Sequence, residues 1–105
     1  MSSVRGLIAL LAVIPAGCAT EEPYRLDGPK VVAGLELAPY AIHEECVTLQ
    51  TTQGVSYFFS SRGPVAFNVH FHDGNAVVMP IDRQPTTEGS GDFTADRDQV
   101  YCLMW

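Results

Sequence analysis

Residues 65–74, VAFNVHFHDG, decide the fold. Apolar and polar residues alternate along this stretch, and successive side chains of a β-strand point to opposite faces. The residues predicted to face the core are Val65, Phe67, Val69 and Phe71. The outward residues are polar, namely Asn68, His70 and His72. The stretch therefore predicts an antiparallel strand with one buried face and one solvent-facing polar face.

Outward from this stretch, runs rich in Val, Ile, Phe, Tyr and Thr alternate with clusters of Gly, Pro, Asn, Asp and Ser. They predict seven strands, at residues 31–37, 45–51, 55–60, 65–72, 76–81, 91–95 and 99–105. Gln53-Gly54 and Asp73-Gly74-Asn75 are predicted hairpin turns, and residues 85–91 a loop. The spacing predicts an all-β fold, a small antiparallel β-sandwich of about seven strands over residues 31–105.

The last predicted strand is apolar on both faces, which predicts a central place in the sheet. Trp105, the last residue of the sequence, still fits the apolar pattern of this strand. The sequence therefore leaves open whether Trp105 is the natural C-terminus. Phe58, Tyr101 and Trp105 form either a second core layer or an apolar patch for a partner.

The N-terminus has the features of a targeting signal. One basic residue, Arg5, precedes an apolar run at residues 6–14, which is too short to cross a membrane. Ala16-Gly17-Cys18 follows, and it resembles the lipobox of bacterial lipoproteins, although Pro15 stands where that family usually has Leu. The resemblance implies a signal peptide at residues 1–17, cleaved before Cys18, and lipid acylation (palmitate) on Cys18. Ordinary cleavage near Ala19, giving a free periplasmic protein, is the alternative.

The lipobox resemblance also predicts where the protein lies and how it is divided. Residues 18–30 are polar and contain prolines and a glycine, which predicts a lipidated tether ahead of the folded domain. The absence of Asp after Cys18 implies the outer membrane of the bacterial cell envelope, facing the periplasm. Without residues 1–17 the formal net charge changes from −6 to −7, which argues against nucleic acid as a partner.

Three cysteines fit this assignment. With Cys18 acylated, Cys46 and Cys102 remain as a pair, and an oxidising periplasm favours a disulfide between them. Two buried free thiols are the alternative. The absence of a C-x-x-C motif argues against a redox-active pair.

The arrangement of strands resembles the GOLD (Golgi dynamics) domain, a small β-sandwich of cargo receptors in the early secretory pathway. The similarity covers residues 36–105 and rests on three parts of the sequence. These are HEECV at residues 43–47, the aromatic strands at 55–59 and 64–69, and GDFTA at 91–95 followed by DQVYCLMW at 98–105. The resemblance implies a non-catalytic module that binds protein or lipid, and in the family the early cysteine pairs with the late one. The family's last strand usually continues to an Asn, which is missing here.

The two histidines of the decisive stretch raise a second hypothesis. His70 and His72 project to the same side of a strand, as metal-binding His-x-His pairs do. Further ligands could come from Asp73, His43 or Met79. Methionine would favour copper and carboxylate would favour zinc. Plain solvent-facing polar residues, or a histidine face that recognises an acidic or protein partner, are the alternatives.

Catalytic motifs are missing from the sequence. The serines lie outside any G-x-S-x-G elbow, and Glu44 and Glu45 are predicted to point to opposite faces of a strand. No enzymatic activity and no cofactor are therefore expected. The sequence predicts an envelope-anchored binding or structural module with a protein or lipid partner; a periplasmic copper- or zinc-binding protein is the alternative.

Overall fold

The computed structural model describes residues 24–105, and these form four strands and no helix. The strands are β1 (Glu44–Leu49), β2 (Gly54–Asp73), β3 (Ala76–Thr94) and β4 (Gln99–Met104). They make one antiparallel sheet in the order β1-β4-β2-β3. The all-β antiparallel class and the central place of the last strand are confirmed. The predicted signal peptide and the acylation site Cys18 lie outside the described residues.

Four of the predicted strands merge into two, so the prediction of seven strands is wrong for the described part of the chain. The stretches at 55–60 and 65–72 both belong to β2, because residues 61–64 shift the register of the β2–β3 ladder without ending it. The stretches at 76–81 and 91–95 both belong to β3. Residues 31–37 form no strand; the chain there is irregular, and Gly34 has a φ of 69°.

The predicted loop at 85–91 is part of β3, because aromatic residues of β2 lie against its glycines. Tyr57 pairs with Gly91 and Phe59 pairs with Gly89 across the ladder. A Cβ atom on Gly91 would lie 2.8 Å from the Tyr57 hydroxyl, and one on Gly89 would lie 2.6 Å from the Phe59 ring. The rings occupy the space that glycine leaves, so a segment with turn-like composition continues as a strand.

One of the two predicted hairpins is confirmed. Asp73 pairs with Ala76, and Gly74 takes a φ of 61° in the two-residue turn between β2 and β3. The hairpin predicted at Gln53-Gly54 is wrong, since β1 pairs with β4 and not with β2. The turn there is closed by the Gln53 N–H, which donates to the Gln50 carbonyl at 2.9 Å.

Strand β2 turns back on itself, and this brings its two halves onto one core. The ring centroids of Tyr57 and Phe59 lie 4.8 and 4.9 Å from that of Phe67. In a straight strand, ten residues would separate Tyr57 from Phe67 by about 33 Å. The strand therefore folds back near the register shifts between Ser60 and Val65.

The buried core is built from all four strands and from Ala95 after β3. Its members are Val47, Leu49, Phe67, Val69, Phe71, Phe93, Ala95, Tyr101 and Leu103. The predicted core face is confirmed for Phe67, Val69 and Phe71, whereas Val65 is only half-buried. The strands form one continuous sheet, so the separate two-sheet sandwich stays a prediction.

The disulfide between Cys46 and Cys102 is confirmed. The two residues lie directly opposite each other in the β1–β4 ladder, 56 residues apart in sequence. A cross-link that closes a loop of this size stabilises the fold by roughly 3–5 kcal/mol through the entropy of the unfolded chain.

Candidate functional site

The two faces of the sheet carry two different groups of polar side chains. One face holds the His70 cluster, which we define as Glu44, Cys46, Asn68, His70 and Cys102. The opposite face carries the core, and beside it lies an open groove between the sheet and residues 26–37. The register places these groups, because alternate residues of each strand point to opposite faces.

His70 is buried, so the predicted solvent-facing position is wrong for this residue. It is 3% exposed and Asn68 is 8% exposed, whereas His72 is exposed as predicted. The reason is the register: His70 lies opposite Cys102 on β4, while β3 pairs along the other side of β2. On the face away from the main core, His70 is covered by Asn68, by the ring of His72 and by Glu44.

Asn68 orients the imidazole of His70. The Nδ1–H of His70 donates to Oδ1 of Asn68 at 2.7 Å, because an amide oxygen can only accept. Nε2 then faces the Glu44 carboxylate, with 3.6 Å between Nε2 and Oε1. That separation is too long for a hydrogen bond and suits an ion pair when His70 is protonated. In neutral His70, Nε2 carries the free lone pair.

Ligand atoms of three residues converge in the His70 cluster. Atoms of Glu44, His70 and Cys102 all lie within 4.8 Å of one another. The sulfur of Cys102 is bonded to Cys46, so the oxidised cluster offers a metal only the carboxylate and the imidazole. The sequence alone did not point to Glu44, and it indicated only a disulfide for Cys102, because the register that joins β1, β4 and β2 is not visible in the sequence.

The other predicted metal ligands are placed as follows. The ring of His72 lies 5.3 Å from that of His70, so the same-side His-x-His geometry is present. His43 belongs to the opposite face, where its ring lies 6.0 Å from that of Trp105. Asp73 is exposed at the end of β2, and the side chain of Met79 on β3 is 45% exposed. The structure therefore does not bring His43 to the histidine pair.

The groove on the core side has a volume of about 740 Å³. Its floor includes Tyr57, Phe59 and Trp105, whose rings also contact Phe67 in the core. Its outer wall is formed by apolar residues of the irregular segment, Leu26, Val31, Val32, Leu35 and Leu37. Each of these five is more than a third exposed, so the wall covers the floor without closing on it.

Two buried polar atoms of the groove lack a hydrogen-bond partner within residues 24–105. They are Nε1 of Trp105 and Nε2 of His43. Nε2 of His43 lies 3.4 Å from Oε1 of Glu45, which counts as an ion pair only when His43 is protonated and is not aligned as a hydrogen bond. Trp105 is a pure donor, so its free N–H needs an acceptor from elsewhere.

Glu45 lies beside Nε2 of His43, and its surroundings favour the ionised carboxylate. The Nζ of Lys30 donates to Oε2 of Glu45 at 2.8 Å, and this hydrogen bond lowers the pKa of the carboxyl below its usual value. Partial burial opposes the shift, and the charges of Lys30 and His43 reinforce it. The polar end of the groove therefore combines an ion pair with an unsatisfied indole donor.

Comparison with family models, with curated proteins and with solved structures found no match to this chain. The lipobox and GOLD resemblances thus stay predictions. Among residues 24–105, the structure has no helix with the length and apolar character needed to cross a bilayer.

Proposed function

We propose that this protein is a non-catalytic module of the bacterial envelope that binds an amphiphile in the groove. Two observations carry the proposal: Trp105 lines an apolar groove, and its buried Nε1–H has no acceptor within residues 24–105. A buried donor without a partner costs about 1–3 kcal/mol, and an acceptor on the ligand would recover that energy. The groove volume of about 740 Å³ falls in the range of small-molecule sites.

The charges near Trp105 favour an uncharged head group. Glu45 is ionised and contacts both Lys30 and His43. Lys30 is already paired with Glu45, so a carboxylate or phosphate head group would gain no free counter-charge from this pair, whereas an ester or amide carbonyl can accept a hydrogen bond without needing one. The proposed ligand is therefore an apolar chain ending in a carbonyl-bearing, uncharged head group.

We also propose an acyl anchor on Cys18 that holds the domain at the outer membrane. The support is the lipobox resemblance of Ala16-Gly17-Cys18. One acyl chain binds a membrane only marginally, and the several chains of a lipoprotein hold it stably. Radiolabelled palmitate should enter the wild-type protein in a bacterial host and fail to enter Cys18→Ala. Labelling of both, or of neither, would refute the anchor and leave the groove proposal untouched.

The two-layered sandwich and the GOLD likeness belong to the same proposal. Two features support them: the fold-back of β2, which sets Tyr57 over Phe67, and the hydroxyl of buried Tyr101, which donates to the Arg97 carbonyl at 2.9 Å. A tyrosine that bonds backbone a few residues upstream is common in β-sandwiches.

Trp105 is the only tryptophan of the chain, so its fluorescence reports directly on the groove. We expect a saturable spectral change with a long-chain monoacylglycerol below its micelle concentration, and a weaker one with the matching fatty acid. Leu35→Asp should weaken binding about tenfold or more, because it places a charge in the apolar wall. Val77→Asp is the matched control, since Val77 and Leu35 are both 50% exposed and Val77 lies on β3 outside the groove.

Three results would contradict the amphiphile proposal. They are a spectrum that changes with neither lipid, equal binding by Leu35→Asp and Val77→Asp, and tighter binding of the fatty acid than of the monoacylglycerol. Either of the first two results would favour a protein partner over an amphiphile. The third would show that the polar end of the groove, with its Lys30–Glu45 pair, prefers an anionic head group.

A further inference from the structure

We propose that the Cys46–Cys102 disulfide masks a zinc site, which forms in the His70 cluster when a dithiol reduces the bond. The ligands would be the two thiolates, Nε2 of His70 and the carboxylate of Glu44. His70 and Glu44 lie on the sheet face away from the core, and Cys46 also lines the groove. Zinc binding by the reduced protein does not require amphiphile binding, so the two proposals are tested separately.

The register of three adjacent strands brings the four ligands together. Cys46 on β1 pairs with Cys102 on β4, and Cys102 pairs with His70 on β2. Glu44 precedes Cys46 by two residues and therefore projects to the same face. The converging atoms of Glu44, His70 and Cys102 already lie within 4.8 Å of one another. Zinc binds sulfur at about 2.3 Å and nitrogen at about 2.0 Å, so these side chains would move closer together around the ion. The Sγ of Cys46, which is bonded to Cys102 in the oxidised protein, would then supply the fourth ligand.

His70 is held as a zinc ligand usually is. Metal-bound histidines donate their second ring N–H to an oxygen, which sets the tautomer and aims the free nitrogen at the metal. The Nδ1–H of His70 donates to Asn68 at 2.7 Å, and Nε2 faces Glu44. His70 is 3% exposed, so this orientation is fixed inside the sheet and does not depend on solvent.

The redox step balances with a dithiol as the co-reactant. The dithiol gives two electrons and two protons to the sulfur–sulfur bond, which breaks into the thiols of Cys46 and Cys102, while the dithiol becomes a cyclic disulfide. Zinc then binds both sulfurs as thiolates and releases two protons. The set of two thiolates, one imidazole and one carboxylate is typical of tetrahedral zinc. The metal would thereby replace the covalent link between β1 and β4.

The test uses Co(II) as a spectroscopic substitute for zinc. The purified protein is reduced with dithiothreitol, desalted without oxygen, and titrated with Co(II) beside the oxidised protein. We expect the reduced protein alone to develop the thiolate charge-transfer band and the d–d bands of tetrahedral cobalt, saturating near one ion per chain. Zn(II) should then displace the cobalt and remove the colour.

Matched variants separate this site from other metal binding. His70→Ala should weaken Co(II) binding at least tenfold in the reduced protein and change its spectrum, because one nitrogen ligand is lost. His72→Ala should change neither the strength of Co(II) binding nor the spectrum. If both variants lose Co(II) affinity equally, or if His72→Ala alone loses it, the proposal is overturned in favour of the exposed histidine pair. Binding of equal strength to the oxidised protein would also overturn it.

Folding of the reduced protein is followed by far-ultraviolet circular dichroism. A sheet spectrum that persists, or that zinc restores, supports a site built by the β1–β4–β2 register. A reduced protein that binds cobalt without sheet structure, or that binds none, overturns the proposal. The double variant Cys46→Ser/Cys102→Ser lacks both the cross-link and the thiolates, so it should develop no cobalt charge-transfer band.

Discussion

The ring of Tyr57 lies 4.8 Å from the ring of Phe67, although both residues belong to strand β2. This contact requires the strand to fold back between them, so the first half of β2 packs on the second. The same fold-back places Phe59 against Phe67 and Trp105, which joins the floor of the groove to the buried core. The shape of the groove thus depends on the core.

Phe67 should be the most costly residue of this contact to truncate. It is 1% exposed and contacts the rings of Tyr57, Phe59 and Trp105. Phe67→Ala should lower the free energy of unfolding by about 3–5 kcal/mol, because it removes a buried ring and leaves a cavity. Urea denaturation measures the change. Phe58→Ala is the control, since Phe58 is 74% exposed and should shift stability by no more than about 0.5 kcal/mol.

The disulfide should supply a large share of the stability of so short a chain. The double variant Cys46→Ser/Cys102→Ser should lose roughly 3–5 kcal/mol, because the cross-link restrains a 56-residue loop in the unfolded chain. Denaturation of this variant and of the dithiol-reduced protein, both free of metal, should give similar losses. A loss below about 1 kcal/mol would show that the β1–β4 ladder holds without its covalent link.

Stability should fall in acid partly because Glu45 is protonated there. Its folded-state pKa lies below the ordinary value of 4.5, chiefly through the hydrogen bond from Lys30. A lowered pKa contributes stability above pH 4.5, and this contribution is lost as the pH falls through the folded-state value. Glu45→Gln should remove it, by less than about 1 kcal/mol, since partly exposed pairs contribute little.

The measurement compares the free energies of unfolding of wild type and Glu45→Gln at several pH values. The two curves should differ above pH 4.5 and converge in stronger acid. Asp98, whose pKa is lowered by hydrogen bonds from the backbone N–H and side chain of Thr51, changes stability in the same direction in both proteins and cancels. Parallel curves down to low pH would contradict the role of Glu45. Glu36→Gln serves as an exposed acidic control.

The turn between β2 and β3 should require Gly74. Its φ of 61° lies in the left-handed region, and a Cβ there would meet no atom within 4 Å. Gly74→Ala should therefore cost about 1 kcal/mol through the backbone alone. Gly74→Asn should cost less, because Asn tolerates this conformation. Gly63→Ala, also without a neighbour within 4 Å and without a left-handed φ, is the control in thermal denaturation.

Local patterns in the sequence determined several parts of the structure. The alternation in residues 65–74 indicated the buried face of β2, and Asp73-Gly74-Asn75 indicated its turn, because both depend on neighbouring residues only. The disulfide followed from the count of cysteines once Cys18 was set aside. The apolar character of both faces of β4 indicated its central place, since a strand between two others is covered on both sides.

Only the tertiary structure decided the strand count, the register and the sites. Composition predicted a loop at 85–91, yet the rings of Tyr57 and Phe59 cover its glycines and keep it in β3. His70 was expected in solvent and is buried, while His43 lies on the other face beside Trp105. The physical reason is that period-two alternation fixes the face of a side chain within its own strand but not which strands become neighbours. That pairing joins Glu44, Cys102 and His70, and it arises from contacts between residues far apart in sequence.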